Sequence, residues 1–189
     1  MDKLNINNLK EYFQYCKSIQ GDLVRLEPFA SNDVTPEYIG WLKDSEVTRF
    51  SNQRFKKHSL ESCRDFLASF EASPNLILKI VLQDSNRSIG TMTVYTAVQH
   101  GTLDIGIMVG CRSAWNKGVG FDAWNTLLNW LLNNTSARKV TGGAMRCNLA
   151  MLRIMERSGM TLEAIRPLHE MLDGEPQDMV YFGKFSDQL

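Results

Sequence analysis

Between the apolar run ending at Val109 and a helix-like stripe beginning near Phe121 lie Trp115, Asn116, Lys117, Gly118, Val119 and Gly120. Two glycines at a helix start let successive backbone N–H groups turn inward. With the helix dipole they form a nest suited to phosphate or pyrophosphate. Lys117 adds positive charge at its mouth. The triphosphate-loop signature GxxxxGK[ST] is absent. Gly118-x-Gly120-x-x-Ala123 fits a dinucleotide fingerprint, which also needs a turn straight off the strand and an acid about 20 residues on. Here an eight-residue loop intervenes, and no Asp or Glu falls between Asp122 and Glu156. On glycine spacing alone, an ordinary strand-to-helix turn explains the loop equally well.

A second anion site is suggested by Arg49, Arg54, Lys56 and Lys57. These are four positive charges with no acid among them, a pattern that can hold a diphosphate or simply be a solvated loop. The carboxylates available for proton transfer are Asp104, on an alternating strand, and more weakly Asp122 and Glu156 on helices. No metal site is expected. Cys16, Cys63, Cys111 and Cys147 are widely spaced without a CxxC pair, and the three histidines do not cluster.

The elements that must position these residues read from the periodicity. A strand lies near Leu23–Pro28, and helices follow at Pro36–Leu42 and Leu60–Phe70. Strands cover Leu76–Gln83, Ser88–Val98 and Leu103–Val109, joined by short polar turns. A helix runs from Gly118 to Leu132, a strand spans Arg138–Ala144, and Asn148 caps a helix that Gly159 stops. Strands at Met160–Ile165 and Met179–Phe185 flank an Asp173-Gly174 turn. The fold class is therefore α/β or α+β, a mixed and mostly antiparallel sheet flanked by helices in one domain. Residues 1–20 read as an appended arm or helix before a domain at 21–189.

The chain has 189 residues, with 21 basic and 21 acidic side chains. That balance argues against a nucleic-acid partner. No segment has the roughly 20 apolar residues of a membrane span, and the N-terminus lacks a signal peptide's apolar core. A cytoplasmic location is expected. The strand Met179–Phe185 could pair with another subunit to make a homodimer.

With Ile105-Gly106-Ile107 preceding it, the loop Trp115–Gly120 resembles the acetyl-CoA-binding loop of the GNAT acyltransferase superfamily. The block Asn148-x-x-Met151-x-x-Ile154-x-Glu156-x-x-Gly159-Met160-x-x-Glu163 resembles the segment that follows it there. Glu163 matches a glutamate frequent in the branch with ribosomal-protein N-terminal acetyltransferases. Tyr38, Ile39, Trp41, Leu42, Asp44, Glu46 and Val47 resemble acetyltransferases of bacterial surface-sugar synthesis, which act on nucleotide-linked amino sugars. The resemblance spans roughly Gly21 to Phe185.

The resemblance implies a fold and a reaction. Backbone groups of Ile107, Met108 and Val109 would pair with the pantetheine arm like an added strand. Backbone N–H groups of Trp115, Asn116, Lys117, Gly118, Val119 and Gly120 would hold the CoA pyrophosphate. Asn148 would contact the cofactor near its reactive end, or serve only as a helix cap. The implied reaction is direct acetyl transfer from acetyl-CoA to a primary amine, with Asp104 as first candidate base and a backbone N–H of the fourth strand polarising the thioester. The sequence departs from the superfamily where a Tyr or Ser would protonate the thiolate; here Met155 and Met151 stand. The leading acceptor is a nucleotide-linked amino sugar, bound through Arg49, Arg54, Lys56 and Lys57. The alternatives are a protein or peptide N-terminal acetyltransferase, and a non-catalytic acyl-CoA-binding module.

Overall fold

The computed structural model describes residues 3–16 and 18–187. Eight strands form one sheet in the order β1-β2-β3-β4-β5-β6-β8-β7. In chain order these are β1 (Ile19–Gln20), β2 (Val24–Pro28), β3 (Leu76–Leu82), β4 (Ser88–Ala97), β5 (Thr102–Val109), β6 (Lys139–Met145), β7 (Thr161–Leu172) and β8 (Glu175–Phe185). All neighbours are antiparallel except β5 and β6. The helices are α1 (Leu9–Tyr15), α2 (Pro36–Lys43), α3 (Ser45–Thr48), α4 (Leu60–Glu71), α5 (Val119–Asn134) and α6 (Leu149–Arg157).

Burial follows strand alternation. Leu78, Ile80, Met92, Val94, Leu103 and Ile105 pack with α1, α5 and α6 on one face. Ile77, Phe29, Tyr38, Leu42, Leu67 and Phe70 form a smaller core with α2 and α4 on the other. Ile6, Leu9 and Phe13 are buried in the larger core, so residues 6–13 are packed structure.

Two local features tie the frame to the site. Asp122, in the first turns of α5, accepts backbone hydrogen bonds from Asp22, Leu23 and Val24 at 2.8–3.1 Å. A Cβ at Gly21 would lie 2.6 Å from the Thr126 hydroxyl and 2.7 Å from the Asp122 carboxylate, so only glycine lets β2 approach α5 there. Asp122 thus braces the fold, and its position among candidate bases is explained by that anchoring.

The last hairpin is longer than the apolar pattern suggests. β7 extends to Leu172 and β8 begins at Glu175, around Asp173 and Gly174, both at positive φ. An Asp-Gly pair in that conformation closes a tight two-residue hairpin. β7 is exposed almost throughout, so no alternation marks it. The strand Met179–Phe185 is flanked on both sides, by β6 and by β7. Its edges are therefore taken within the chain and cannot pair with a second subunit as expected; the edge strand on that side of the sheet is β7. Among the described residues, no helix is long and apolar enough to cross a membrane.

Candidate active site

The site begins where two parallel strands part. β5 and β6 pair only over Thr102–Asp104 and Lys139–Thr141. Beyond that, Ile105–Val109 pairs with β4 alone and Gly142–Met145 with β8 alone. Each strand then has an open edge facing the other, which an extended chain can fill by strand addition. A cavity of about 350 Å³ runs into this gap from the α2/α4 face. Tyr38, Phe50, Phe66 and Tyr95 give it aromatic walls, and Thr48, Ser51, Gln53, Thr91, Thr93 and Asn148 give it neutral polar groups. Among the described residues, no charged side chain lines it.

At the far end of β5 the chain enters the glycine loop. Gly118 caps α5 at φ +83°, and Asn116 is also left-handed, at φ +61°. No side chain caps the first amides of α5. A 16-residue helix therefore presents unanswered N–H groups at its positive end. The loop is braced by Trp115, whose indole N–H donates to the Val109 carbonyl at 2.7 Å. Lys117 is exposed, Val119 is buried, and Gly120 faces Ile154 and Val109. Ile107 and Met108 line the cavity, whereas Val109 does not. The open strand edges and the uncapped helix start fit an extended thioester cofactor whose arm runs to a pyrophosphate.

Asn148 is the cap of α6 and also faces the cavity. Its Oδ1 accepts the Met151 backbone N–H at 3.2 Å as the α6 cap, and the residue also lines the cavity. Met151 lines the cavity too, while Met155 is wholly buried in the core, so neither position offers a hydroxyl.

Asp104 lies just outside the cavity wall. It pairs with Tyr95 on β4 and stands two residues before Gly106, both of which line the cavity. Its carboxylate accepts the Thr141 hydroxyl at 2.7 Å. Crowding of the carboxyl by neighbouring atoms pushes its pKa up, and the Thr141 hydrogen bond pulls it partly back. Tyr95 is raised as well, first by burial and then by the Asp104 charge. For Asp104 alone, a raised folded-state pKa means stability falls as pH rises from the ordinary Asp value through the raised one. Asp104→Asn should therefore be no less stable than wild type at neutral pH, with any advantage shrinking on acidification; thermal melts across pH check this.

The four cations expected to bind an acceptor separate into two groups. Arg49 pairs with Asp173 at 3.0 Å, and Arg54 donates to the Met171 carbonyl at 2.7 Å. Both reach the tip of the β7–β8 hairpin, tying it to the loop after α3. Lys56 and Lys57 instead line a recess with Lys43, Arg54 and His58, also about 350 Å³, whose lining includes no acid among the described residues. None of the four lines the central cavity. The two spaces nevertheless share Leu42, Thr48 and Gln53 as walls. Glu163 lies apart from both, ion-paired to Lys139 at 2.6 Å and packed over Gly183.

One feature of the site was not legible in the sequence. Trp124, on the helix that periodicity predicts at 118–132, lines the cavity, and its buried indole N–H has no hydrogen-bond partner among the described residues. Leaving a buried donor unpaired costs about 1–3 kcal/mol, which marks the position for explanation.

A mixed sheet that opens between two parallel strands beside a glycine-capped helix defines an acyl-CoA-type transferase fold. The Acetyltransferase (GNAT) domain family matches residues 24–161, and the chain belongs to that family, as an acyltransferase that uses acetyl-CoA. Among solved structures it is similar to RimL, described as a ribosomal L7/L12 alpha-N-protein acetyltransferase in complex with coenzyme A. That match has a TM-score of 0.77 and 16% identity over 90% of this chain and 98% of the other. It is also similar to a ribosomal-protein-S5-alanine acetyltransferase from Vibrio fischeri, with TM-score 0.74 and 14% identity over 90% and 97% of the two chains. A third is the microcin C7 self-immunity acetyltransferase MccE in complex with acetyl-CoA and AMP, with TM-score 0.72 and 18% identity over 87% and 93%.

Proposed function

We propose that this acetyltransferase acetylates the primary amine of a nucleotide-linked amino sugar. The observation that carries this reading is the junction of two unlike spaces. An uncharged cavity with hydroxyl, amide and aromatic walls meets a recess bearing Lys43, Arg54, Lys56 and Lys57, and the two share Leu42, Thr48 and Gln53. A neutral polyhydroxyl ring suits the first and a diphosphate suits the second. A peptide acceptor with basic neighbours would want acidic walls, which neither lining provides. MccE, which has the same fold at TM-score 0.72, is a neighbour solved with both acetyl-CoA and AMP.

The bound thioester supplies the acetyl group. Open edges of Ile107, Met108 and Val109 hold its arm, and backbone N–H groups from Trp115 to Gly120 hold its pyrophosphate, with Lys117 adding charge. Asn148 keeps the start of α6 beside the reacting end. The amine must be neutral to attack. Asp104 takes its proton by way of solvent, since its carboxylate stands one step outside the cavity wall. Asp104→Asn is expected to lower kcat by about a hundredfold with little change in the KM for acetyl-CoA. The acid limb of the wild-type pH profile should lie above that of an ordinary Asp and disappear in the variant; an unchanged profile would remove Asp104 from this role.

Lys56 and Lys57 bind the acceptor's diphosphate, while Arg49 and Arg54 hold the hairpin tip over the acceptor side. The double change Lys56→Gln with Lys57→Gln should raise the KM for a sugar nucleotide about tenfold and leave that for acetyl-CoA alone. Equal KM values for the sugar nucleotide before and after would reject the recess as a phosphate site.

A further inference from the structure

We infer that the indole N–H of Trp124 is a ligand contact: it donates a hydrogen bond to the acyl carbonyl oxygen of the bound thioester, from the side of the sheet opposite the acceptor. Trp124 projects from α5 toward the gap between β5 and β6. A Cβ on Gly142 would lie 2.7 Å from the ring's edge, so glycine at that point lets the indole sit directly beneath the first β6 residue that is not paired with β5. Gly142 immediately follows Thr141, the last β6 residue paired with β5. The indole therefore lies at the apex of the gap, where the strands begin to part, and the cavity reaches it from the α2/α4 face.

The ring is 1% exposed, and its Nε1 has no acceptor among the described residues. A tryptophan buried for packing alone usually pairs its N–H when an acceptor is within reach. The arrangement is explained if the acceptor arrives with the ligand. The acetyl end is the part that must reach deepest, because the arm enters along Ile107–Val109 from the loop side. A fixed donor at that depth, in a cavity with no charged lining group, is preorganised for an oxygen on which charge develops. It would act beside a backbone N–H of β5.

This inference rests on acetyl-CoA binding in the gap, and its test separates the two. The four tryptophans are labelled with 15N at the indole, and the Trp124 resonance is assigned by its loss in Trp124→Phe. Calorimetry measures binding of acetyl-CoA and CoA in parallel. The expected result is a downfield shift of the Trp124 indole proton with acetyl-CoA and little change with CoA. Trp124→Phe, which keeps the aromatic packing, should bind CoA as wild type does and acetyl-CoA about fivefold more weakly. Binding of both ligands without an acetyl-specific shift, or with equal shifts, overturns the inference alone. Failure of acetyl-CoA to bind overturns it together with the cofactor placement beneath it.

Discussion

Gly120→Glu should abolish acetyl-CoA binding while leaving the protein folded. The substitution puts a carboxylate in the second position of α5, where the uncapped N–H groups and the helix dipole would meet the pyrophosphate. Like charges about 4 Å apart near a surface repel by roughly 4 kcal/mol, so affinity should fall by about a hundredfold to a thousandfold. Gly120→Ala is the control. Its Cβ would lie 3.5 Å from Ile154 and 3.7 Å from Val109, ordinary packing distances. That variant should fold and bind, helped by better helix propensity. Thermal shift reads both: wild type and Gly120→Ala should be stabilised by acetyl-CoA and CoA and not by nicotinamide dinucleotides, and Gly120→Glu by none of them. Retained stabilisation of Gly120→Glu would move the pyrophosphate elsewhere.

The second large effect falls on stability. Asp122→Ala removes one carboxylate that accepts three backbone N–H groups at the start of β2. Partly solvated charge-assisted bonds of this kind give a loss of about 2–4 kcal/mol in total. For a chain of this size that corresponds to a melting temperature lower by about 5–15 °C. Below its new midpoint the variant should keep its KM for acetyl-CoA, because Asp122 faces β2. A stable Asp122→Ala protein with reduced kcat would instead return this residue to the list of bases.

These two cases show what periodicity carries and what it leaves out. The central strands and α5 were readable because each buries one strict stripe, Leu103 with Ile105 and Leu127 with Leu131 among them. Glycines at 118 and 159 were readable because the backbone there needs positive φ. The full length of β7 was not, since a strand exposed on both faces has no apolar alternation. α3, at Ser45–Thr48, is a single turn too short to show a helical stripe, although Asp44 caps it through the Glu46 amide. Cation type was visible at 49–57, but partner was not. The long hairpin, returning from more than a hundred residues away, engages Arg49 and Arg54, whereas Lys56 and Lys57 line the recess. Trp124 falls on the buried stripe of α5, yet its lining role depends on two strands parting, which no local pattern encodes.

The proposed acceptor spans both spaces, ring in the uncharged cavity and diphosphate in the recess. The direct measurement is kcat/KM by thiol release for three acceptors: an amino-sugar nucleotide, the same amino sugar without its nucleotide, and a peptide with a free N-terminus. The amino-sugar nucleotide should be preferred over the bare sugar by about tenfold or more, with the peptide slowest. A peptide acetylated faster than the sugar nucleotide, or no difference between the two sugars, would contradict it.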